Sequence, residues 1–143
     1  MIGMPNSKLL TIAVPAYNAA SYLHTCLDSL VQSGDEVEVL VVNDGSKDDT
    51  LQVARDYAGR YPGIVVAVDQ ENRNWGGAVN HALELASGTF FYIVDSDDWL
   101  DSAKLTEVVS RLRMLEEQQA GVDLYMVNYV YNRVENGDRH TIS

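Results

Sequence analysis

Short apolar runs alternate with stretches of helical period along this chain, and the alternation predicts three successive β-then-α units followed by a fourth strand. Residues 8–14 (KLLTIAV) read as a buried strand closed by Pro15, which has no N–H to offer a central ladder. From Ala19 to Val31 the apolar positions Leu23, Cys26, Leu27, Leu30 and Val31 fall on one helical stripe, stopped by Ser33-Gly34. Residues 37–42 (VEVLVV) form the second strand, ahead of the turn Asn43-Asp44-Gly45-Ser46. Ser46 with Asp49 has the spacing of a capping box and opens a helix to about Arg60, where Pro62-Gly63 breaks it. Residues 64–68 (IVVAV) are a third strand. After the polar stretch 69–74 a helix runs from near Gly77 to Ala86, ended by Ser87-Gly88. Residues 89–94 (TFFYIV) run straight into Asp95-Ser96-Asp97-Asp98. Asp101 or Ser102 caps a longer helix to about Gln119, and residues 124–134 read as a fifth strand.

Strands apolar on both faces, each followed by a helix, imply a doubly wound α/β architecture with a mostly parallel sheet covered on both sides. Ligands of such sheets bind at the carboxyl ends of the strands. The polar residues there are Tyr17 and Asn18, then Asn43, Asp44 and Ser46, then residues 69–74, then Asp95, Asp97 and Asp98. All four sets gather on one rim.

The 143 residues, 46% of them hydrophobic, suit one domain with one core and exclude a disordered or disulfide-stapled chain. Twenty-one acidic residues against 10 basic ones give a formal charge of −11, which repels a nucleic-acid backbone. A phosphorylated ligand would therefore need a cation between itself and the carboxylates. The lone Cys26 closes no intrachain disulfide, lies on an apolar helix face as a small core residue, and suits a reduced, cytoplasmic setting. No apolar run reaches the roughly 18 residues of a membrane span, and no basic stretch leads into an apolar one at the N-terminus. This segment is expected neither to cross a membrane nor to carry a signal peptide, although a longer parent could do either.

The strongest chemical signal is Asp95-x-Asp97-Asp98. Carboxylates this close repel one another unless a cation or hydrogen bonds offset the repulsion, and a few hard oxygen donors suit Mg²⁺ or Mn²⁺ with phosphate completing the shell. For Asp98 and Asp101 a turn or helix-cap role weighs equally. Asp44 can accept from an N–H of a planar base, or make an Asx-turn over Gly45. Tyr17 covers a base or packs behind Pro15. Gly76-Gly77, within residues 72–80 (NRNWGGAVN), permit close backbone approach at a helix N-terminus, where free N–H groups favour anions. His24, His81 and His140 are too scattered to form a site, and Lys47-Asp48-Asp49 reads as a helix start.

Taken in order, VPAYNAASYLHTCLDSL, VVNDGSKDDT, NWGGAVNHAL and SGTFFYIVDSDDWL resemble the family 2 glycosyltransferases of the GT-A fold, over roughly residues 8–101. The resemblance implies that Pro15, Ala16, Tyr17 and Asn18 wall a nucleotide pocket and that Asp44 hydrogen-bonds the base, usually uracil. It places Asp95, with Ser96 beside it, near the ribose and donor sugar, and gives Asp97 the divalent metal, Mn²⁺ or Mg²⁺, on the diphosphate. Arg73 falls where some members carry a basic residue near Asp95. Asn80 and the Gly76-Gly77 turn match a motif that shapes the pocket, and Trp99 is expected to pack. The implied reaction is inverting transfer from a UDP-sugar to an unknown acceptor, a glycan or lipid-linked sugar, in cell-surface polysaccharide or glycan synthesis. The family's general base lies well downstream of the acidic motif; Glu116, Glu117 and Asp123 are poor candidates for it. The chain is thus expected to be the donor-binding part of a longer enzyme, inactive for transfer by itself and prone to self-association.

Rival readings carry less. A HAD-type phosphatase also opens on a strand and Asp-x-Asp, but near its N-terminus and with Thr or Val two residues after the second acid, where this chain has Trp99. No G-x-G-x-x-G follows a strand, as a Rossmann dinucleotide site requires. An EF-hand around Asp44 would need a ligand oxygen where Val42 stands. A nucleotide-binding module without transfer activity is the non-enzymatic alternative.

Overall fold

The computed structural model describes residues 8–125, 127, 129–133 and 138–142. The chain divides into two compact units, Met1–Arg113 and Met114–Ser143. In the first, β1 (Lys8–Ala16), β2 (Val37–Asp44), β3 (Val65–Gln70) and β4 (Gly88–Ile93) make one parallel sheet in the order β3-β2-β1-β4. The helices are α1 (Leu23–Asp28), α2 (Thr50–Arg60), α3 (Asn74–Leu85) and α4 (Ser102–Glu117). The chain therefore steps outward from β1 to β3, then returns across β1 to lay β4 on its far side. That reversal lies between the carboxyl ends of β1 and β4, where doubly wound folds bind ligands.

Alternation along the central strands divides the core between the two sheet faces. Ile12, Val14, Val39 and Val41 face Leu23, Leu27, Ala54, Tyr57, Leu105 and Val109 from α1, α2 and α4. Ala13, Leu40 and Val42 face Ala78 and Ala82 of α3. The two central strands are buried almost throughout, as expected of a covered parallel sheet. The edge strands β3 and β4 are not, and Val66 and Tyr92 stand exposed.

One buried polar network ties β4 to the sheet. Glu38 on β2, 8% exposed, accepts from Thr11 Oγ1 at 2.6 Å and from the Ser87 N–H at 2.6 Å, and the Gly88 N–H donates to Thr11 Oγ1 at 2.8 Å. Gly88 has to be glycine: a Cβ there would lie 2.6 Å from Thr11 Oγ1 and 2.8 Å from the Leu10 carbonyl carbon. The residue that ends the preceding helix pattern thus also permits the close approach of β4 to β1.

Several boundaries differ from the sequence reading. The β1 strand runs through Pro15 to Ala16, because Pro15 lies past the last β1–β4 partner pair, Ala13–Ile93, where the ladder on that side has ended. Regular α1 covers only Leu23–Asp28, with turns either side that still bury Leu30 and Val31. The capping box does not form, and α2 begins at Thr50. Asp48 Oδ1 accepts the Thr50 N–H at 3.0 Å, and Ser46 is used elsewhere. The α3 helix begins at Asn74, so Gly76-Gly77 lie inside it. Asp101 does cap α4, accepting the Lys104 N–H at 3.0 Å.

In the second unit, β5 (Tyr129–Arg133) pairs antiparallel with β6 (Asp138–Ile142). The strand read over residues 124–134 is thus shorter, and β6 was not expected. Residues 126, 128 and 134 of that reading lie outside those described. Among the described residues no helix is long and apolar enough to cross a membrane.

Candidate functional site

Three of the four loops at the carboxyl edge are knitted together by side chains. Asn18, with φ +48°, donates its N–H to Ser46 Oγ at 2.9 Å and accepts the Lys47 N–H on its Oδ1 at 2.8 Å. Asp48 Oδ2 accepts the Ala20 N–H at 3.1 Å. Hydrogen bonds to the charged form, chiefly from the Thr50 hydroxyl, hold the Asp48 carboxyl below its ordinary value. Ser46 therefore serves the neighbouring loop instead of its own helix.

Asp44 ends β2 at 4% exposure. Its Oδ1 accepts from Gln70 Nε2 at 2.9 Å and from the Arg73 main-chain N–H at 2.7 Å, and its carbonyl accepts from Asn72 Nδ2 at 3.0 Å. Gly45, at φ +69°, makes the turn, and a Cβ there would meet Asn72 N at 2.8 Å. Beyond the Asx-turn and ligand readings, the Asp44 carboxylate organises the β3–α3 loop. Among the described residues its Oδ2 has no partner, and it is not sealed from solvent: of those residues' side-chain oxygens, the one fully buried without a partner is Asn43 Oδ1.

A cleft of about 590 Å³ opens on this face, lined by Tyr17, Asp44, Gly45, Lys47, Asn72, Asn74 and Trp75. Tyr17 and Trp75 are about half exposed, two aromatic side chains that share the lining with the Asp44 carboxylate. Pro15 and Ala16, which precede Tyr17 at the strand end, are buried.

Beside the cleft lies the acidic motif. The Asp98 N–H donates to the Asp95 carbonyl at 2.9 Å, a turn that folds the motif back on itself. Asp95, Asp97 and Asp98 thereby bring carboxylate oxygens within 4.8 Å of one another, while Ser96 between them is buried. Burial, then the charges of Asp97 and Asp95, push the Asp98 carboxyl up; burial, then all three acids, push the Cys26 thiol up to about 12. The described ion pairs join Lys104 to Glu107 and Arg113 to Glu36, so neither neutralises the cluster. Exposed hard oxygens whose charge no described ion pair neutralises fit a small divalent cation.

Trp75 joins the two halves. Its Nε1–H donates to Asp95 Oδ1 at 2.8 Å, so the residue that walls the cleft also holds the first acid of the cluster. Sequence reasoning gave this residue no role of its own, placed Gln70 on the rim only as part of residues 69–74, and set aside His81, whose Nδ1 lies 2.8 Å from Gln70 Oε1. The signal for His81 was its place three residues after Ala78 and one before Ala82, the residues that α3 turns to the sheet. Arg73 acts through its main chain; its side chain is exposed, and it makes no ion pair with Asp95. The Gly77 position lies against the Arg73 side-chain stem, and Gly76 faces open space. Asn80 is exposed and absent from the cleft lining, and Trp99 is 49% exposed.

The model of glycosyl transferase family 2 matches residues 11–142. The chain belongs to glycosyl transferase family 2. The putative glycosyltransferase EpsH of Bacillus subtilis (strain 168) is 33% identical over 129 residues, 90% of this chain and 36% of the relative. The uncharacterized glycosyltransferase MG025 of Mycoplasma genitalium is 38% identical over 101 residues, 67% of this chain and 34% of the relative. The family 2 chain described here thus spans about a third of the length of these relatives. Among solved structures, S. aureus TarS 1–349 in complex with UDP-GlcNAc superposes with a TM-score of 0.66 at 30% identity, covering 78% of this chain and 32% of that one. The mannosyltransferase PcManGT from Pyrobaculum calidifontis, in complex with GDP-Man and Mn²⁺, gives 0.61 at 29% identity, covering 72% and 32%. The fold is the GT-A fold of these neighbours.

Proposed function

We propose that this chain is the donor-binding half of an inverting glycosyltransferase that takes its sugar from a UDP-sugar. The observation that carries this reading is the Trp75–Asp95 hydrogen bond, which couples a cleft with aromatic walls and a buried carboxylate to an exposed acidic cluster. In this reading Tyr17, backed by Pro15 and Ala16, and Trp75 take the faces of the base. Asn18 holds the rim that they share with Lys47. Asp44 accepts the ring N–H of uracil through Oδ2. Asp95 and Ser96 lie toward the ribose and donor sugar. Arg73 supports Asp44 with its N–H and leaves its guanidinium free for the diphosphate.

Asp97, with Asp95 and Asp98 alongside, would hold Mn²⁺ or Mg²⁺, which supplies charge stabilisation for a departing diphosphate. Like charges decide that need. A carboxylate and a phosphate oxygen about 4 Å apart repel by roughly 4 kcal/mol at an effective dielectric near 20. Without a cation the acids would reject the ligand that the cleft fits.

The acceptor, a glycan or lipid-linked sugar of the cell surface, and the general base that deprotonates it belong in this reading to the part of the family architecture beyond the donor half, with the reaction on the cytoplasmic side. The test is a calorimetric panel of UDP, CDP, GDP and ADP in Mn²⁺. UDP is expected to bind tightest; a GDP preference would reject the uracil assignment, and no binding by any diphosphate would reject the donor-site reading.

A further inference from the structure

The hydrogen bonds around Asp44 determine more than its own place. A carboxylate only accepts, so the Gln70 atom 2.9 Å from Asp44 Oδ1 must be the amide nitrogen. The other end of that amide, Oε1, then faces His81 Nδ1 at 2.8 Å, and an oxygen acceptor there requires Nδ1 to carry the proton. The chain of donors runs one way: His81 to Gln70, Gln70 to Asp44. It also crosses three elements, because Gln70 is the register partner of Asp44 at the β3–β2 edge and His81 stands on α3, which packs over that face.

We propose that His81 is a positioning residue for base selection. Its Nδ1–H fixes which way the Gln70 amide points. Gln70 and the Arg73 N–H then hold Asp44 Oδ1, and Oδ2, which has no partner among the described residues, is the acceptor left for a nucleobase N–H. If His81 presented an acceptor, the Gln70 amide would turn over and place its oxygen against the carboxylate. The Asp44 plane would rotate away from its two donors. This inference rests on the reading of Asp44 as the base contact.

The variants that separate donor from acceptor are His81→Asn, whose Nδ2 can stand where Nδ1 stood, and His81→Asp, which can only accept. The readout is the ratio of UDP to CDP affinity in Mn²⁺ on the whole chain, with Mn²⁺–pyrophosphate, which has no base, titrated alongside. His81→Asn is expected to keep the ratio. His81→Asp should lower it by about tenfold, the order of a lost hydrogen bond to a charged group, while pyrophosphate affinity stays unchanged. Should His81→Asp fail to fold, Gln70→Met, which removes both polar ends of the link, is read in the same way. A retained ratio in the folded variant, or an equal loss of pyrophosphate binding, would overturn the proposal. Asp44→Asn is the control: if it too leaves the ratio unaltered, the Asp44 reading has failed, whereas a change in Asp44→Asn alone rejects only the role of His81.

Discussion

The Trp75 indole N–H donates to Asp95 Oδ1 at 2.8 Å across 20 residues of sequence, joining the first turn of α3 to the end of β4. This one bond links the aromatic wall of the cleft to the acidic cluster. Trp75→Phe keeps a ring and removes the donor. Its expected effect is a loss of Mn²⁺–UDP affinity of about fivefold, since an intramolecular hydrogen bond is worth roughly 1 kcal/mol net. Isothermal titration of the two proteins checks it; unchanged affinity would mean that Asp95 needs no holding.

Asp44 calls for an asparagine variant. Alanine would strand the Gln70 amide and the Arg73 N–H in a site where Asp44 is 4% exposed, a penalty of about 1–3 kcal/mol unrelated to any ligand. Asparagine keeps an oxygen for those donors and turns the free position from acceptor to donor. Cytosine offers an acceptor at ring N3 where uracil offers N–H, so Asp44→Asn is expected to weaken UDP and strengthen CDP. Competition between the two nucleotides measures it.

Gly88→Ala probes the sheet rather than the site. The added methyl would intrude on Thr11 Oγ1 and the Leu10 carbonyl carbon, and overpacking of this kind typically costs roughly 1–3 kcal/mol. A lower denaturant midpoint with an unchanged slope is the expected outcome.

Asp48 gives a pH dependence of known sign. Its folded-state pKa lies below the ordinary 3.8, chiefly through the Thr50 hydroxyl, so it stabilises the fold above its unfolded pKa and loses that contribution as pH falls through the folded one. The stability difference between the native chain and Asp48→Ala should therefore be present near neutrality and shrink in acid. Denaturation midpoints across that range decide it.

How much of this was legible in the sequence follows from how local each cause is. Strand runs ending in Tyr17, Asp44 and Asp95 could be read because alternation and burial are written in neighbouring residues, and a parallel sheet brings strand ends to one edge. The β3–β2 register that sets Gln70 opposite Asp44, and the reach of Trp75 to Asp95, depend on packing between elements and leave no periodic trace. Ser46 misled for the same reason: its spacing to Asp49 fits a cap, but Asn18 at φ +48° brings a competing N–H to its hydroxyl. Trp99 follows an apolar strand and was expected to pack, yet it is half exposed, and it is the next residue, Leu100, that packs against the core.

The central claim is that a divalent cation lets this acidic edge accept a nucleoside diphosphate. The most direct measurement is UDP titration of the native chain and of Asp97→Ala, each in Mn²⁺ and in EDTA. Binding by the native chain in Mn²⁺, its loss in EDTA, and no gain from Mn²⁺ in Asp97→Ala are predicted; equal UDP affinity of the native chain in Mn²⁺ and EDTA would contradict the account.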